Sequence, residues 1–107
     1  MAELDDGGAQ ASVTRSLESD GVPVLQIQGE LDISNVPTIE AQCEPSVQQA
    51  PGRVVFDFSS LQFIDSSGIA MLLRAAQTSR VEIRNPPEVI RRIIAATGLA
   101  DVLHIEQ

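Results

Sequence analysis

The sequence predicts a single α/β domain, with a mixed sheet of four to five strands packed by three to four helices. From residue 33 onward, segments of helical periodicity alternate with short apolar runs typical of strands. This alternation indicates parallel strands joined by right-handed helical crossovers. An Asp-Gly dipeptide between the first two strand-like runs predicts an antiparallel pair at the start. A chain of 107 residues is long enough for one hydrophobic core and too short for two.

The N-terminal residues 1–11 are acidic, contain two adjacent glycines and show no hydrophobic periodicity. Such a segment cannot bury enough apolar surface to order itself, so we expect a disordered tail followed by a domain at residues 12–107. The antiparallel pair should begin this domain. Its first arm lies within residues 12–18, its second arm is Val22–Gln28, and Asp20-Gly21 forms the turn.

A helix is expected after the hairpin, because residues 33–37 carry cap-forming side chains and end in a proline. Its expected buried stripe follows helical spacing and consists of Val36, Ile39, Cys43 and Val47. Pro45 lies inside this pattern and cannot donate a backbone hydrogen bond, so we expect a kink or an early end near Glu44. Cys43 is expected to lie in the core, because a free cysteine behaves as a small hydrophobe.

Two further strands are expected at Arg53–Phe58 and Arg80–Arg84. The first is almost continuously apolar, as in a central strand covered on both faces, whereas the second alternates. Residues 85–87, Asn-Pro-Pro, should open the next helix, whose expected stripe is Val89, Ile90, Ile93 and Ile94. Gly98 with a leucine after it predicts a Schellman end. The last apolar residues predict a short strand or one turn of helix.

Between these two strands, residues 61–73 pass from an apolar run through an Asp-Ser-Ser-Gly turn into helical spacing. Asp65 is a strong N-cap type, because its carboxylate can accept hydrogen bonds from the first helical turn and lies at the positive end of the helix dipole. Ser66 and Ser67 fall in that turn, and Gly68 lacks the Cβ that would crowd an approaching group. A phosphate on such a serine would be stabilised by the dipole and by free N–H groups. The residues alone leave open whether this turn binds a partner or whether its serines merely cap the helix.

The sequence lacks the residue patterns typical of catalysis, metal binding and nucleotide-phosphate binding. The Gly-x-Ser-x-Gly turn that exposes a nucleophilic serine is absent, and His104 is the only histidine. Asp32, Asp57 and Asp65 lack a recognisable metal-ligand spacing. Without any lysine, the chain has no phosphate-binding loop of the Gly-Lys-Ser/Thr type. We therefore expect a protein that is not an enzyme and has no metal and no cofactor.

Composition restricts the partners. Fifteen acidic residues face seven arginines, and the resulting net charge of −8 at pH 7 argues against nucleic acid or an anionic membrane and favours a basic partner surface. The single cysteine excludes an internal disulfide and a multi-cysteine metal site. We find no signal peptide and no apolar run of membrane-spanning length, so the expected location is cytoplasmic.

Three motifs in order carry a resemblance to a known family. They are Gly29-Glu30-Leu31-Asp32 at the end of an early strand, Phe63-Ile64-Asp65-Ser66-Ser67-Gly68 at a helix start, and Thr97-Gly98-Leu99-Ala100-Asp101-Val102-Leu103 near the end. Together they resemble a STAS domain of the anti-sigma factor antagonist type. The resemblance runs from about Ser12 to Ile105.

The resemblance implies a partner switch. The antagonist would bind an anti-sigma factor that is also a serine kinase, and the sigma factor would be released. The kinase would then phosphorylate the serine after the motif aspartate, here Ser66, with Ser67 as the alternative, and a metal-dependent serine/threonine phosphatase would reverse this. The residues that would contribute to partner binding are Asp32, Asp65, Ser66, Ser67 and Gly68, and Glu30 could join the same acidic rim.

Asp32 ends a predicted strand, so we expect an exposed carboxylate that contributes to function more than to folding. A second interpretation of the same resemblance is a regulatory STAS subunit of a transport system or a stress-sensing assembly, which docks constitutively and is not cycled by a kinase. The intact Asp-Ser-Ser-Gly sequence favours the switch.

Overall fold

The computed structural model describes residues 10–106. In chain order the elements are β1 (Ala11–Leu17), β2 (Pro23–Leu31), α1 (Val36–Gln49), β3 (Arg53–Asp57), β4 (Leu61–Ile64), α2 (Ser66–Ala75), β5 (Arg80–Arg84), α3 (Glu88–Ala96) and α4 (Ala100–Leu103). The α/β class is confirmed, with five strands and four helices in this part of the chain. Of the predicted tail, residues 1–9 lie outside the described residues, and Ala11 already belongs to β1, where it pairs with Gly29.

The five strands form one mixed sheet in the order β1-β2-β3-β5, with β4 also paired to β2. The β1–β2 hairpin is antiparallel, as predicted, and the other three pairings are parallel. β3 is central, between β2 and β5. Because β3 pairs with Val24–Gln26 and β4 pairs with Gly29–Leu31, the two strands follow one another along β2.

The sequence pattern did not predict two features around Gly29. β2 continues through Leu31, as the family resemblance implied, although the alternation of apolar and polar residues stops near Gln28. The apolar lead into α2 is a separate strand, β4. The Gly29 N–H donates to the Ser60 carbonyl at 3.1 Å, and the Glu30 N–H donates to the Gln10 carbonyl at 2.9 Å. β2 can therefore continue through the irregularity between Gly29 and Glu30, because the backbone there is hydrogen-bonded both to the residue before β1 and to the residue before β4.

The two faces of the sheet differ in polarity. One face forms the aliphatic core and carries buried side chains of three strands: Leu25, Ile27, Val54, Phe56, Val81 and Ile83. The side chains that alternate with these include Gln26, Asp57 and Glu82, which are only half-buried. The middle of β3 is nevertheless covered on both faces, as expected, because Val54, Val55 and Phe56 are each no more than 1% exposed. Buried Val55 is in register with Glu82, whose carboxylate accepts hydrogen bonds from Arg53 Nε at 3.2 Å and Arg53 Nη2 at 3.1 Å.

Helix α1 runs to Gln49, so the expected early end near Glu44 is wrong. Pro45 removes the hydrogen bond to the Ala41 carbonyl, but both residues lie on the exposed face of the helix. Water can hydrogen-bond to that carbonyl, and the buried stripe continues past the proline. All four residues of the predicted stripe are buried: Val36, Ile39, Cys43 and Val47.

The C-terminal helices differ from the prediction in detail. α3 begins at Glu88, because Asn85 is left-handed with φ of 57° and is not the cap, and Val89 is 51% exposed instead of buried. Gly98 follows the helix with φ of 76°, as expected for a Schellman end. In that motif the Leu99 N–H would donate to a carbonyl of the last helical turn, but here it donates to the Thr97 hydroxyl. Both alternatives for the last apolar piece are present, as α4 and as a bridge between Ile83 and Ile105.

Candidate functional site

The pairing of β2 with β4 brings the candidate residues together. Leu31 is in register with Ile64 in parallel strands, so the next residues, Asp32 and Asp65, leave the same edge of the sheet side by side. The Asp65 N–H donates to the Leu31 carbonyl at 3.2 Å, and the Ile33 N–H donates to Asp65 Oδ2 at 3.3 Å. The loop that starts at Asp32 is therefore joined to the start of α2.

Asp65 is the N-cap of α2, as the sequence predicted. Its Oδ1 accepts hydrogen bonds from the Ser67 N–H at 2.9 Å and the Gly68 N–H at 3.2 Å, and its carbonyl accepts one from the Ile69 N–H at 3.1 Å. These first-turn N–H groups are already engaged. The N–H of Ser66 itself makes no hydrogen bond within residues 10–106, so the expectation of free first-turn N–H groups for a phosphate holds at this one group and is wrong for the other three. The helix dipole adds to its stabilising influence.

The two serines of the turn differ in accessibility. Ser67 is half-buried, and its hydroxyl donates to Asp65 Oδ1 at 2.6 Å. Ser66 is exposed, and its hydroxyl makes no hydrogen bond to any residue of the described range 10–106. A reagent or a partner can reach the Ser66 hydroxyl without breaking an internal interaction, whereas Ser67 would first have to leave Asp65.

Asp32 organises the loop that leads into α1. Its Oδ1 accepts hydrogen bonds from the Ser34 N–H at 2.9 Å and the Ser34 hydroxyl at 2.6 Å, and its carbonyl accepts from the N–H groups of Asn35 and Val36. The side chain of Asn35 bonds to the Asp32 N–H and to the Glu30 carbonyl. Asp32 is half-buried, so the expectation of a simply exposed carboxylate is wrong, and the residue has a local structural role.

Glu30 and Gly68 differ in exposure to solvent. Glu30 is exposed, and its side chain makes no hydrogen bond or ion pair within residues 10–106. Gly68 is buried, and a Cβ there would lie 2.6 Å from Ile64 Cγ1 and 3.2 Å from Leu31 Cδ2. The missing side chain lets α2 pack closely on the core, so the expected open approach at this glycine is not what the geometry provides.

Hydrogen bonding keeps Asp65 ionised. Partial desolvation is the largest single influence and raises its pKa, but four hydrogen bonds act against it, from the Ser67 hydroxyl and from the N–H groups of Gly68, Ile33 and Ser67. Together these hydrogen bonds outweigh desolvation and hold the pKa of Asp65 below its usual range. The carboxylate is therefore a fixed negative charge beside Ser66.

This lowered pKa predicts a pH-dependent contribution to stability. The contribution is fully present above the unfolded-state pKa of about 4 and is lost as the pH falls through the lower folded-state pKa. Asp65→Asn keeps an oxygen for the cap but removes the charge, so we expect the free energy of unfolding to fall by about 0.3–1 kcal/mol at neutral pH. In urea unfolding at about pH 3, the difference between the two proteins should narrow.

The control for this change is Glu30→Gln, which removes a nearby exposed charge that makes no side-chain hydrogen bond within residues 10–106. It should have little effect on unfolding at either pH. A difference between wild type and Asp65→Asn that stayed constant in acid would contradict the assigned role of the Asp65 charge.

The residues considered for catalysis are not brought together as a catalytic group. His104 lines a polar pocket with Arg80 and Glu106, and neither Ser66 nor Ser67 lines it. The part of the chain that the structure describes contains no group of three or more His, Cys, Asp or Glu side chains that could hold a metal ion. None of its helices is long and apolar enough to cross a membrane. Burial raises the pKa of the Cys43 thiol to about 11, as suits a core residue.

The fold and the site define a small α/β domain of mixed sheet, whose candidate functional group is an exposed serine at a capped helix start. The chain belongs to the STAS domain family, whose model matches residues 15–107.

Curated relatives share the name anti-sigma-B factor antagonist. The protein of Staphylococcus epidermidis is 25% identical over 88 residues, which are 78% of this chain and 82% of the relative. The protein of Staphylococcus aureus strain NCTC 8325 is 26% identical over 88 residues, with the same coverage of both chains.

Solved structures that are similar to this chain are also named anti-sigma factor antagonists. An anti-sigma factor antagonist from Mycobacterium paratuberculosis is 25% identical with a TM-score of 0.79, over 90% of this chain and 85% of that one. The anti-sigma factor antagonist SpoIIAA in its unphosphorylated form is 25% identical with a TM-score of 0.70, over 90% of this chain and 89% of that one.

Proposed function

We propose that this protein is an anti-sigma factor antagonist that is switched off by phosphorylation of Ser66. In the unmodified state it binds an anti-sigma factor with serine kinase activity, and a sigma factor is released. The observation that carries the proposal is the exposed Ser66 hydroxyl, which makes no hydrogen bond within residues 10–106 and stands at the capped start of α2. The names of the relatives support the general role, and one of them is specified as an unphosphorylated form.

The remaining parts of the proposal follow from the same role. A metal-dependent serine/threonine phosphatase returns the protein to its active state, and the cycle operates in the cytoplasm without nucleic acid or membrane as a partner. The protein itself acts by binding and not as an enzyme. Its net charge of −8 suits a basic surface on the anti-sigma factor.

The test is incubation of the purified protein with each anti-sigma factor kinase encoded in the source organism and ATP, followed by intact mass measurement and peptide mapping. One added phosphate on Ser66 supports the proposal, and phosphate on Ser67 alone would show that the acceptor is wrong. If a kinase bound the protein without modifying it, constitutive docking as a regulatory STAS subunit would be the better interpretation. No binding and no phosphate with any of these kinases would overturn the proposal.

Asp32 offers a further prediction, because it leaves the sheet next to Asp65, the N-cap of α2, and its carboxylate accepts hydrogen bonds from Ser34. Asp32→Ala should lower the free energy of unfolding by about 1 kcal/mol through the lost loop hydrogen bonds. It should reduce phosphorylation and partner affinity by more than this loss of stability can explain. The variant is still folded and still presents Ser66, but it lacks the carboxylate at position 32. Urea unfolding and the initial rate of phosphate incorporation measure the two effects separately.

Two further variants separate charge from loop structure at this position. Asp32→Asn keeps an acceptor for the Ser34 N–H and removes the charge, whereas Ser34→Ala removes the hydroxyl donor and keeps the charge. We expect Asp32→Asn to lose function and Ser34→Ala to retain it. If Ser34→Ala were as impaired as Asp32→Asn, the loop conformation and not the charge would be the functional requirement.

A further inference from the structure

Ile33 is an exposed apolar side chain beside the candidate site. It is 77% exposed, the highest value among the large hydrophobic residues that are exposed in the range 10–106, and it follows Asp32 directly. Its N–H donates to Asp65 Oδ2, so its backbone lies within hydrogen-bond distance of the cap of α2. An apolar side chain in this position has no role in the core. The sequence pattern did not single it out, because one isoleucine in a polar loop has no periodic neighbour.

The loop that carries Ile33 is held in one conformation by hydrogen bonds at each of its residues. Asp32 bonds to both the backbone and the hydroxyl of Ser34, Asn35 bonds to the Asp32 N–H and the Glu30 carbonyl, and Ile33 bonds to Asp65. A side chain on such a loop is already placed before a partner arrives. Less conformational entropy is then lost on binding, which is the usual property of an interface anchor.

The surroundings of Ile33 indicate the chemistry of the partner. Residues 29–35 and 63–68, whose exposed members line this part of the surface, contain acidic residues but no lysine or arginine. Phe63 adds a second apolar side chain, 42% exposed, at a position in register with Glu30. A complementary surface therefore needs an apolar pocket with a basic rim, because a rim of acidic side chains would be repelled.

We propose that Ile33 is the apolar anchor by which this protein binds its anti-sigma factor, in a pocket rimmed by basic side chains. The inference rests on the proposed function and adds to it the residue that provides the apolar contact. Ser66 and Asp32 supply polar contacts and the means of release, whereas Ile33 supplies buried apolar area. Anchors of this kind account for much of the free energy of binding in protein interfaces.

The experiment measures the dissociation constant of the anti-sigma factor identified by the phosphorylation screen, by titration calorimetry with wild type, Ile33→Ala, Ile33→Leu and Leu17→Ala. Leu17 is a matched control, because it is 72% exposed but lies at the C-terminal end of β1, away from the end that pairs with Gly29. We expect Ile33→Ala to weaken binding about tenfold or more, Ile33→Leu to restore most of the affinity, and Leu17→Ala to bind as wild type. Thermal melts of each variant should coincide with wild type, because exposed positions contribute little to stability.

The outcomes distinguish this inference from the function on which it rests. If wild type binds and is phosphorylated on Ser66 but Ile33→Ala binds as tightly as Leu17→Ala, the anchor is wrong and the proposed function stands. If Ile33→Leu binds as weakly as Ile33→Ala with an unchanged melt, an apolar pocket is also excluded. If wild type binds no anti-sigma factor at all, the proposed function fails and the anchor fails with it.

Discussion

Ser66→Asp is expected to keep the wild-type fold and to bind the anti-sigma factor weakly, whereas Ser66→Ala should bind well and accept no phosphate. The physical reason is the charge that the modification adds. A phosphoserine carries about −1.5 to −2 at neutral pH. Within the domain, the dipole of α2 offsets part of the repulsion from Asp65, by typically about 0.3–1 kcal/mol, so the fold should change little.

The geometry of the cap determines where the new charge acts. The first-turn N–H groups of Ser67, Gly68 and Ile69 are bonded to Asp65 and are not available to the phosphate. Only the N–H of Ser66 itself makes no hydrogen bond within residues 10–106, so the phosphate lacks a cradle of several backbone donors and faces solvent or the partner. At an interface it must be desolvated, and any carboxylate of the partner that faces Ser66 is repelled. Release then follows from lost complementarity without a conformational change in this protein.

Ser66→Asn is the matched control for charge, because it has the shape of the aspartate variant and no net charge. It should bind more tightly than Ser66→Asp. Ser67→Ala, which removes only the hydroxyl bonded to Asp65, should still be phosphorylated on Ser66. Circular dichroism checks the fold, and calorimetry with the anti-sigma factor measures affinity. If both Ser66→Asp and the protein phosphorylated by the kinase bound as tightly as wild type, release by charge would be excluded.

Gly29→Ala should be among the most destabilising single changes in the chain. Gly29 has φ of 96°, a conformation that L-residues rarely adopt, and an added Cβ would overlap the backbone carbonyl of Gln10. That carbonyl accepts the Glu30 N–H, so relief of the overlap would weaken the pairing at this end of the hairpin. We expect the free energy of unfolding to fall by more than about 2 kcal/mol in urea titration.

Gly52→Ala is the control for this effect. Gly52 has φ of 107°, but an added Cβ would have no heavy atom within 4 Å. It should therefore report the backbone strain alone, of the order of 1 kcal/mol or somewhat more. The difference between the two variants isolates the overlap at Gly29. Equal losses for both would show that the close approach of Gln10 contributes nothing to the requirement for glycine.

Local chemistry explains why much of the architecture could be predicted from the sequence. The dipeptide Asp20-Gly21 marks the position of the hairpin turn, and the buried stripe of α1 is visible in the spacing of its apolar residues. Asp65 is recognisable as a cap because it is followed by a polar turn and a helical pattern, and the N-cap hydrogen bonds involve only its immediate neighbours. Each of these features depends on interactions within a few residues.

Tertiary structure alone decided how the candidate site is assembled. The register of β4 on β2 places Asp32 beside Asp65, although they are far apart in the chain, and no local pattern specifies which strands become neighbours. The availability of Ser66 and the engagement of Ser67 also depend on three-dimensional geometry, because adjacent serines in one turn look equivalent in the sequence.

The predictions that the structure corrected also concerned features that depend on tertiary structure. Pro45 was expected to kink α1 or end it early because its missing N–H is visible in the sequence. The cost depends on whether the carbonyl that loses its hydrogen bond faces water, which only packing decides. Gly68 was expected to open the turn, yet its missing Cβ accommodates Ile64 from the preceding strand. Sequence by itself therefore determined most of the elements and the Asp65 cap of α2. Exposure, register and close approach were decided by the fold, because they depend on contacts between distant segments.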